Sequence, residues 1–183
     1  MDVYPDRLDP KLGISPRALM KRVYESAVSY ARTFSTASES LLFMGATGLG
    51  KTLLSGCIAR AVADRGYSVC YVSAGKLFSD FETEKFRLKE DGALTGEYLQ
   101  TDLLIIDDLG TEMTTQFTVS ALYQIVNGRL LSGKPTIVST NLPDTELEAR
   151  YSAQIASRLL GAYTLYQFCG TDVRLLRKME SRG

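Results

Sequence analysis

Histidine and tryptophan are absent from this 183-residue chain, and cysteine occurs only three times. Without histidine there is no imidazole for acid–base catalysis and no His-containing zinc site. Cys57, Cys70 and Cys169 are odd in number, widely spaced and set among apolar residues. That pattern predicts small buried hydrophobes in a reducing compartment, not disulfides or a metal cage. Net charge is also missing: 21 Lys and Arg balance 21 Asp and Glu. No global field therefore draws the chain to nucleic acid, and any such binding must rest on a local patch. No apolar run reaches membrane-spanning length, and the polar N-terminus has no signal-peptide core, so the expectation is a cytoplasmic protein with no membrane partner. The length suits one α/β domain that buries its own core.

What the chain does have is a glycine cluster in one informative place, Gly45-Ala46-Thr47-Gly48-Leu49-Gly50-Lys51-Thr52. A triphosphate is compact and highly charged, so binding it requires many donors converging on a small volume. Backbone N–H groups serve only where no Cβ blocks the approach, which Gly45, Gly48 and Gly50 provide. Lys51 would place a cation near the β- and γ-phosphates, Thr52 would offer a hydroxyl to Mg²⁺, and the helix that follows would point its positive end at the anion. The apolar run Leu41–Met44 before the loop reads as a strand and the stretch after it as a helix, which is the context this motif requires.

Ser15-Pro16 reads as a helix cap and first turn, followed by a stripe of Leu19, Met20, Val23, Tyr24, Ala27, Val28, Ala31 and Phe34. This N-terminal segment, residues 1–40, should pack on a core domain of residues 41–183. After the loop, Leu53, Leu54, Cys57, Ile58, Ala61 and Val62 form a stripe on a helix ended by Gly66. Strands are expected at 68–73, 103–106, 136–139 and 163–168. Helices are expected at 74–90, 115–131, 144–151 and 153–160, with Asp91-Gly92 and Gly96 breaking the chain between them. Strands alternating with helices imply a parallel sheet with right-handed crossovers, whose ligands bind beyond the carboxyl ends of the strands.

Leu103-Leu104-Ile105-Ile106 is a fully apolar run that ends in two carboxylates, Asp107 and Asp108. An ionised Asp beside a buried strand is costly unless it meets a cation or donors. A metal–triphosphate supplies the cation, which assigns Asp107 to Mg²⁺ and Asp108 to orienting the attacking water, with Glu112 as the alternative for the second role. The competing reading is a polar turn after a strand. Asn141 both donates and accepts, which suits holding that water or sensing the γ-phosphate; equally it suits a turn before Pro143.

Gly45 to Thr52, Leu103 to Gly110, Ser139-Thr140-Asn141, Ser157-Arg158-Leu159 and Gly170-Thr171-Asp172-Val173-Arg174, in this order, resemble the AAA+ ATPase domain of the DnaC/DnaI helicase loaders and the related IstB transposition helpers. The resemblance runs from about Leu41 to Arg174. It implies a P-loop NTPase fold, a three-layer α/β/α sandwich on a five-stranded parallel sheet with no C-terminal helical lid, and ATP hydrolysis with Mg²⁺. It makes Asn141 a sensor-1 residue, Arg158 an arginine finger reaching into a neighbouring subunit, with Arg150 as its rival, and Arg174 the sensor-2 arginine. The bland reading of both Arg158 and Arg174 is surface salt bridges. Asp108 stands where many AAA+ enzymes carry Glu. By the same resemblance, the expectation is a chain without a complete loader's N-terminal helicase-binding domain, either an excised fragment or a stand-alone short form.

The partners implied are a replicative helicase, single-stranded DNA and further copies of the chain in a head-to-tail spiral or ring. Lys76, Phe78, Phe81, Lys85, Phe86, Arg87 and Lys89 fall where such loaders carry a DNA-contacting helical element. Leu77, Phe78 and Phe81 equally fit helical core spacing, and interleaved acids dilute the patch. Three other functions remain open from the sequence: an IstB-like helper of a transposase, a P-loop nucleotide kinase, and an ATP-binding switch without turnover.

Overall fold

A computed structural model of the chain describes residues 4–10, 13–86, 93–170 and 172. The elements run α1 (Pro16–Thr33), β1 (Leu41–Met44), α2 (Lys51–Ala63), β2 (Val69–Ser73), α3 (Ala74–Phe86), α4 (Ala93–Gln100), β3 (Leu103–Leu109), α5 (Gln116–Leu131), β4 (Thr136–Thr140), α6 (Asp144–Tyr151), α7 (Ala153–Ala162) and β5 (Thr164–Gln167). The five strands form one sheet in the order β2-β3-β4-β1-β5, every neighbouring pair parallel. Among the described residues no helix follows β5.

Strand alternation divides the core into two layers, because successive side chains leave a strand on opposite faces. Leu41 and Phe43 of β1, Leu103 and Ile105 of β3, and Ile137 of β4 pack against α1 and α2. Leu42 and Met44, Leu104 and Ile106, and Val138 pack against α3 to α7. The unbroken apolar runs thus serve two cores at once, and each fully buried Leu, Ile or Phe contributes about 1.5–3 kcal/mol of transfer free energy.

Helix ends follow their sequence signals. Ser15 caps α1, its Oγ accepting from Ala18 N–H at 3.2 Å, with Pro16 at the first helical position. Thr115 and Thr118 form a reciprocal capping box at the start of α5. Arg129 of α5 is fully buried; its guanidinium donates to Thr136 Oγ1 (2.8 Å) and to the carbonyls of Tyr98 (2.8 Å), Thr101 (3.0 Å) and Pro135 (2.6 Å). Burial draws its pKa down to about 10, still well above neutrality.

Several expectations are corrected. Gly96 does not break the chain but lies inside α4, where Tyr98 and the fork of Arg129 tie the helix to the core. On α2 the buried residues are Lys51, Ser55, Ile58 and Val62, while Leu53 and Cys57 face outward, because the phosphate loop and not the apolar stripe sets the rotation of the helix. None of the three cysteines is buried: Cys57 is exposed, and Cys70 and Cys169 are partly so, all as free thiols. Phe78 and Phe81 sit in the core, Phe81 stacked on Tyr98 with ring centroids 6.4 Å apart, so neither face is open to a base. Of the cations nearby, Lys76 pairs with Asp80, and Lys85 lies over the Phe117 ring at 5.0 Å. Arg87, Lys89 and the Asp91-Gly92 break lie outside the described residues.

Candidate functional site: a phosphate loop and a buried carboxylate

The loop leaves the C-terminal end of β1, the strand lying between β4 and β5. Gly45 has φ 148°, and a Cβ there would collide with the backbone carbonyl and Cβ of Phe168. Glycine is thus required by close approach to the chain beyond β5. Gly48 has φ 80°, and the Asp172 carboxylate lies where its Cβ would stand. Gly50 begins α2 with no side-chain cap, which leaves the first-turn N–H groups of the helix to an anion. Lys51 is 5% exposed, and its Nζ donates to the carbonyls of Gly45 (2.6 Å) and Ala46 (2.9 Å), so the cation is held at the centre of the loop.

Asp107 approaches from β3 and is 5% exposed. Thr52 Oγ1 donates to its Oδ1 at 3.4 Å, Ser139 Oγ donates to the same oxygen, and Tyr71 OH donates to Oδ2 at 2.8 Å. A buried carboxylate is therefore satisfied by three hydroxyls, with no cationic side chain among its partners in the described residues. Burial above all pushes the Tyr71 phenol up to about 12, so it keeps its proton and remains a donor at neutral pH.

The strand runs three residues beyond the expected Ile106, through both aspartates to Leu109, and its register with β4 shifts between Ile106 and Leu109. Asp108 sits in that irregularity at φ 55°, a left-handed conformation Asp tolerates better than most residues. Its N–H donates to Ser139 Oγ at 2.9 Å, and the reversal turns its side chain outward while Asp107 stays inside. Asp108 lines a cavity of about 970 Å³ together with Thr47, Gly48, Gly50, Lys51 and Thr52.

Asn141, exposed beyond the end of β4, lines a separate cavity of about 430 Å³ with Gly45 and Ala46, on another side of the same loop. Glu112 is occupied elsewhere: its carboxylate accepts from Gly110 N–H at 3.0 Å and from the Tyr151 hydroxyl. Arg150 also holds this β3–α5 connection, donating to the Glu112 carbonyl and to Thr114 Oγ1 at 2.7 Å. Arg158 lies on α7. Its guanidinium donates to Asn127 Oδ1 (2.9 Å), Tyr123 OH (3.1 Å) and the Gln154 carbonyl (3.1 Å), and sits 4.7 Å from the centroid of the Tyr123 ring. Arg174 lies outside the described residues.

The oxygen donors at the site, a hydroxyl and a carboxylate, are hard ligands of the kind Mg²⁺ takes, and they converge at the edge of the cation-bearing loop. The sequence carries no signal for Tyr71 or Tyr4, and it marks Ser139 only as part of the Ser139-Thr140-Asn141 motif; the contacts of Tyr71 and Ser139 with Asp107 depend on strand register. The Tyr4 hydroxyl donates to the Leu49 carbonyl at 2.9 Å, bringing the N-terminal segment onto the loop.

Comparison with known proteins agrees with this architecture. The chain is 30% identical over 105 residues to an ATP-binding protein of an insertion sequence from Mycobacterium tuberculosis, covering 57% of this chain and 41% of that protein. It is 27% identical over 135 residues to the replicative helicase loader DnaC of Escherichia coli, covering 73% and 55%. The chain thus spans about half the length, or less, of these curated relatives. In fold it matches a crystal structure of the DnaC helicase loader with a TM-score of 0.75 at 20% identity, over 82% of this chain and 90% of that one. The family profile described as IstB-like ATP binding protein matches residues 19–165, and with the P-loop fold in place the chain belongs to that family.

Proposed function

We propose that the chain is an ATP-hydrolysing AAA+ subunit that works on DNA, helping to place a replicative helicase on single strands. The observation that carries the ATPase reading is the meeting of Thr52 with the buried Asp107 beside Lys51. In this reading the N–H groups of Gly45 to Thr52 and the Lys51 cation bind the triphosphate, and Thr52 and Asp107 hold the magnesium ion. A bound magnesium ion supplies positive charge to the phosphate oxygens. Asp108, turned into the cavity, orients the attacking water, and Asn141 holds the γ-phosphate side of the site. Arg158 completes the site of a neighbouring subunit, as expected for a reaction whose transition state accumulates charge on phosphoryl oxygens. Arg174 belongs to the same proposal as the sensor of its own subunit's nucleotide.

The choice of partner rests on the relatives. One is named a replicative helicase loader, and the other an ATP-binding protein in an insertion sequence. The match to the IstB-like family supports a second reading with the same chemistry, in which we infer that the delivered protein is a transposase. Capture of purified helicase against purified transposase separates the two.

The deciding experiment is ATPase rate against protein concentration, with and without a single-stranded oligonucleotide. The expected result is turnover per subunit that rises with concentration and rises again with the oligonucleotide. Undiminished turnover by dilute monomer removes the role of Arg158 in trans. Tight nucleotide binding without turnover under any condition replaces the enzyme with a switch, and phosphate transfer to a nucleoside monophosphate replaces it with a kinase.

A further inference from the structure

Tyr71 is placed by strand register to act on Asp107. It pairs with Ile105 across the β2–β3 ladder, and Ser73 pairs with Asp107, so Tyr71 lies diagonally two residues before the carboxylate. Residues two apart on a strand share a face, and the ring extends along that face until its hydroxyl meets Asp107 Oδ2 at 2.8 Å. The hydroxyl also lies 3.2 Å from Ser55 Oγ, which in turn is 3.1 Å from the Thr52 carbonyl on the first turn of α2.

Proton bookkeeping limits these contacts. An ionised carboxylate only accepts, so the single phenol proton goes to Asp107, and Ser55, with one proton of its own, gives it either to the phenol oxygen or to the Thr52 carbonyl. Oδ1 of Asp107 already takes the hydroxyls of Thr52 and Ser139. Tyr71 therefore holds the other oxygen and, when Ser55 donates to the phenol, ties the carboxylate to α2 itself. Donors on both oxygens restrict rotation about the Cβ–Cγ bond more tightly than donors on Oδ1 alone.

We propose that Tyr71 is a positioning residue for the magnesium site, setting the orientation of the Asp107 carboxylate relative to Thr52. This inference rests on the ATPase reading above. Groups that orient a metal ligand without touching the metal are worth about 10- to 100-fold in metal affinity. One neutral donor to a carboxylate that keeps two others belongs at the low end of that range.

The test is equilibrium binding of a fluorescent, non-hydrolysable ATP analogue to wild type and Tyr71→Phe across a magnesium titration, starting in EDTA. The substitution keeps the ring, and Tyr71 is 41% exposed on an edge strand, so the fold survives; matched thermal midpoints check this. The expected result is unchanged binding in EDTA and a half-saturating magnesium concentration raised about tenfold. Equal magnesium dependence in the two proteins overturns the proposal alone. Equal magnesium dependence with weaker binding in EDTA also overturns it, because Tyr71 would then support the loop and not the metal site. A wild type that takes nucleotide with no response to magnesium overturns the ATPase reading together with this one.

Discussion

Thr52 and Asp107, 55 positions apart in the chain, meet through a hydroxyl–carboxylate hydrogen bond of 3.4 Å. That contact joins the first turn of α2 to β3, and in the function proposed above it is where a divalent ion would be held. Asp107→Asn keeps the shape and loses the charge. Turnover is expected to fall by about a hundredfold or more, while nucleotide binding in EDTA stays within about twofold, because the loop donors are untouched. Single-turnover hydrolysis and fluorescent-nucleotide titration measure the two effects.

Arg158 is held on its own chain by Asn127, Tyr123 and the Gln154 carbonyl, contacts that are only partly buried. Arg158→Ala should therefore cost the isolated subunit no more than about 1 kcal/mol in unfolding free energy. If the side chain acts in a neighbour's site, the same substitution lowers the concentration-dependent ATPase rate by about 10³-fold or more and leaves ATP affinity unchanged. Denaturant unfolding and steady-state kinetics at high protein concentration supply the comparison.

Arg129 has a structural task. Replacing it with Met removes the donors to three buried carbonyls and Thr136 Oγ1, of which the Pro135 carbonyl keeps Leu104 N–H and Thr136 Oγ1 keeps the Lys134 carbonyl, at a cost of about 3 kcal/mol or more. Arg129→Lys keeps the charge but cannot reproduce the fork, and should recover less than half of that loss. Urea unfolding of the three proteins gives the ranking.

Phe78→Ala and Phe81→Ala test the segment read as a DNA surface. Both side chains are core, so each substitution should destabilise the fold by about 3–5 kcal/mol. Neither should weaken oligonucleotide binding selectively in the fraction that remains folded. A selective loss of binding with an unchanged thermal midpoint would reverse this assignment.

Asp102 links the starts of β2 and β3. Its Oδ2 accepts the N–H and hydroxyl of Ser68, both at 2.8 Å, and these bonds, the backbone one first, hold its pKa below the usual 3.8. A depressed carboxylate pKa means the unfolded chain binds the proton more readily. The stabilisation is therefore complete above the ordinary value and is lost as pH falls through the lower, folded one. The stability gap between wild type and Asp102→Ala should be widest near neutral pH and close in acid, as chemical denaturation across pH 2–7 would record.

The fold was legible where one local signal sufficed. Leu103 to Ile106 reads as a doubly buried strand, and the glycine-rich loop announces the turn between β1 and α2. Reading failed where a side chain's surroundings came from distant elements. Cys57 and Leu53 belong to an apolar periodicity that the fixed docking of the loop rotates toward solvent. Gly96 is a weak helix residue held inside α4 by tertiary packing. Asp107 and Asp108 do not end β3, because hydroxyls from β2, β4 and α2 satisfy the first and a local irregularity turns the second outward. Glu112 was a reasonable alternative to Asp108 by sequence, and only the structure shows it occupied by Gly110 and Tyr151.

The strand that carries the loop is bonded along both edges, and those ladders continue past its end: Gly45 N–H reaches the Thr140 carbonyl at 3.3 Å, and Phe168 N–H reaches the Met44 carbonyl at 2.7 Å. The root of the cradle is thus clamped from two sides. Any displacement there pulls at once on the chain leading to Asn141 and on the chain leading past Phe168, so the loop and both of its flanking exits behave mechanically as a single part.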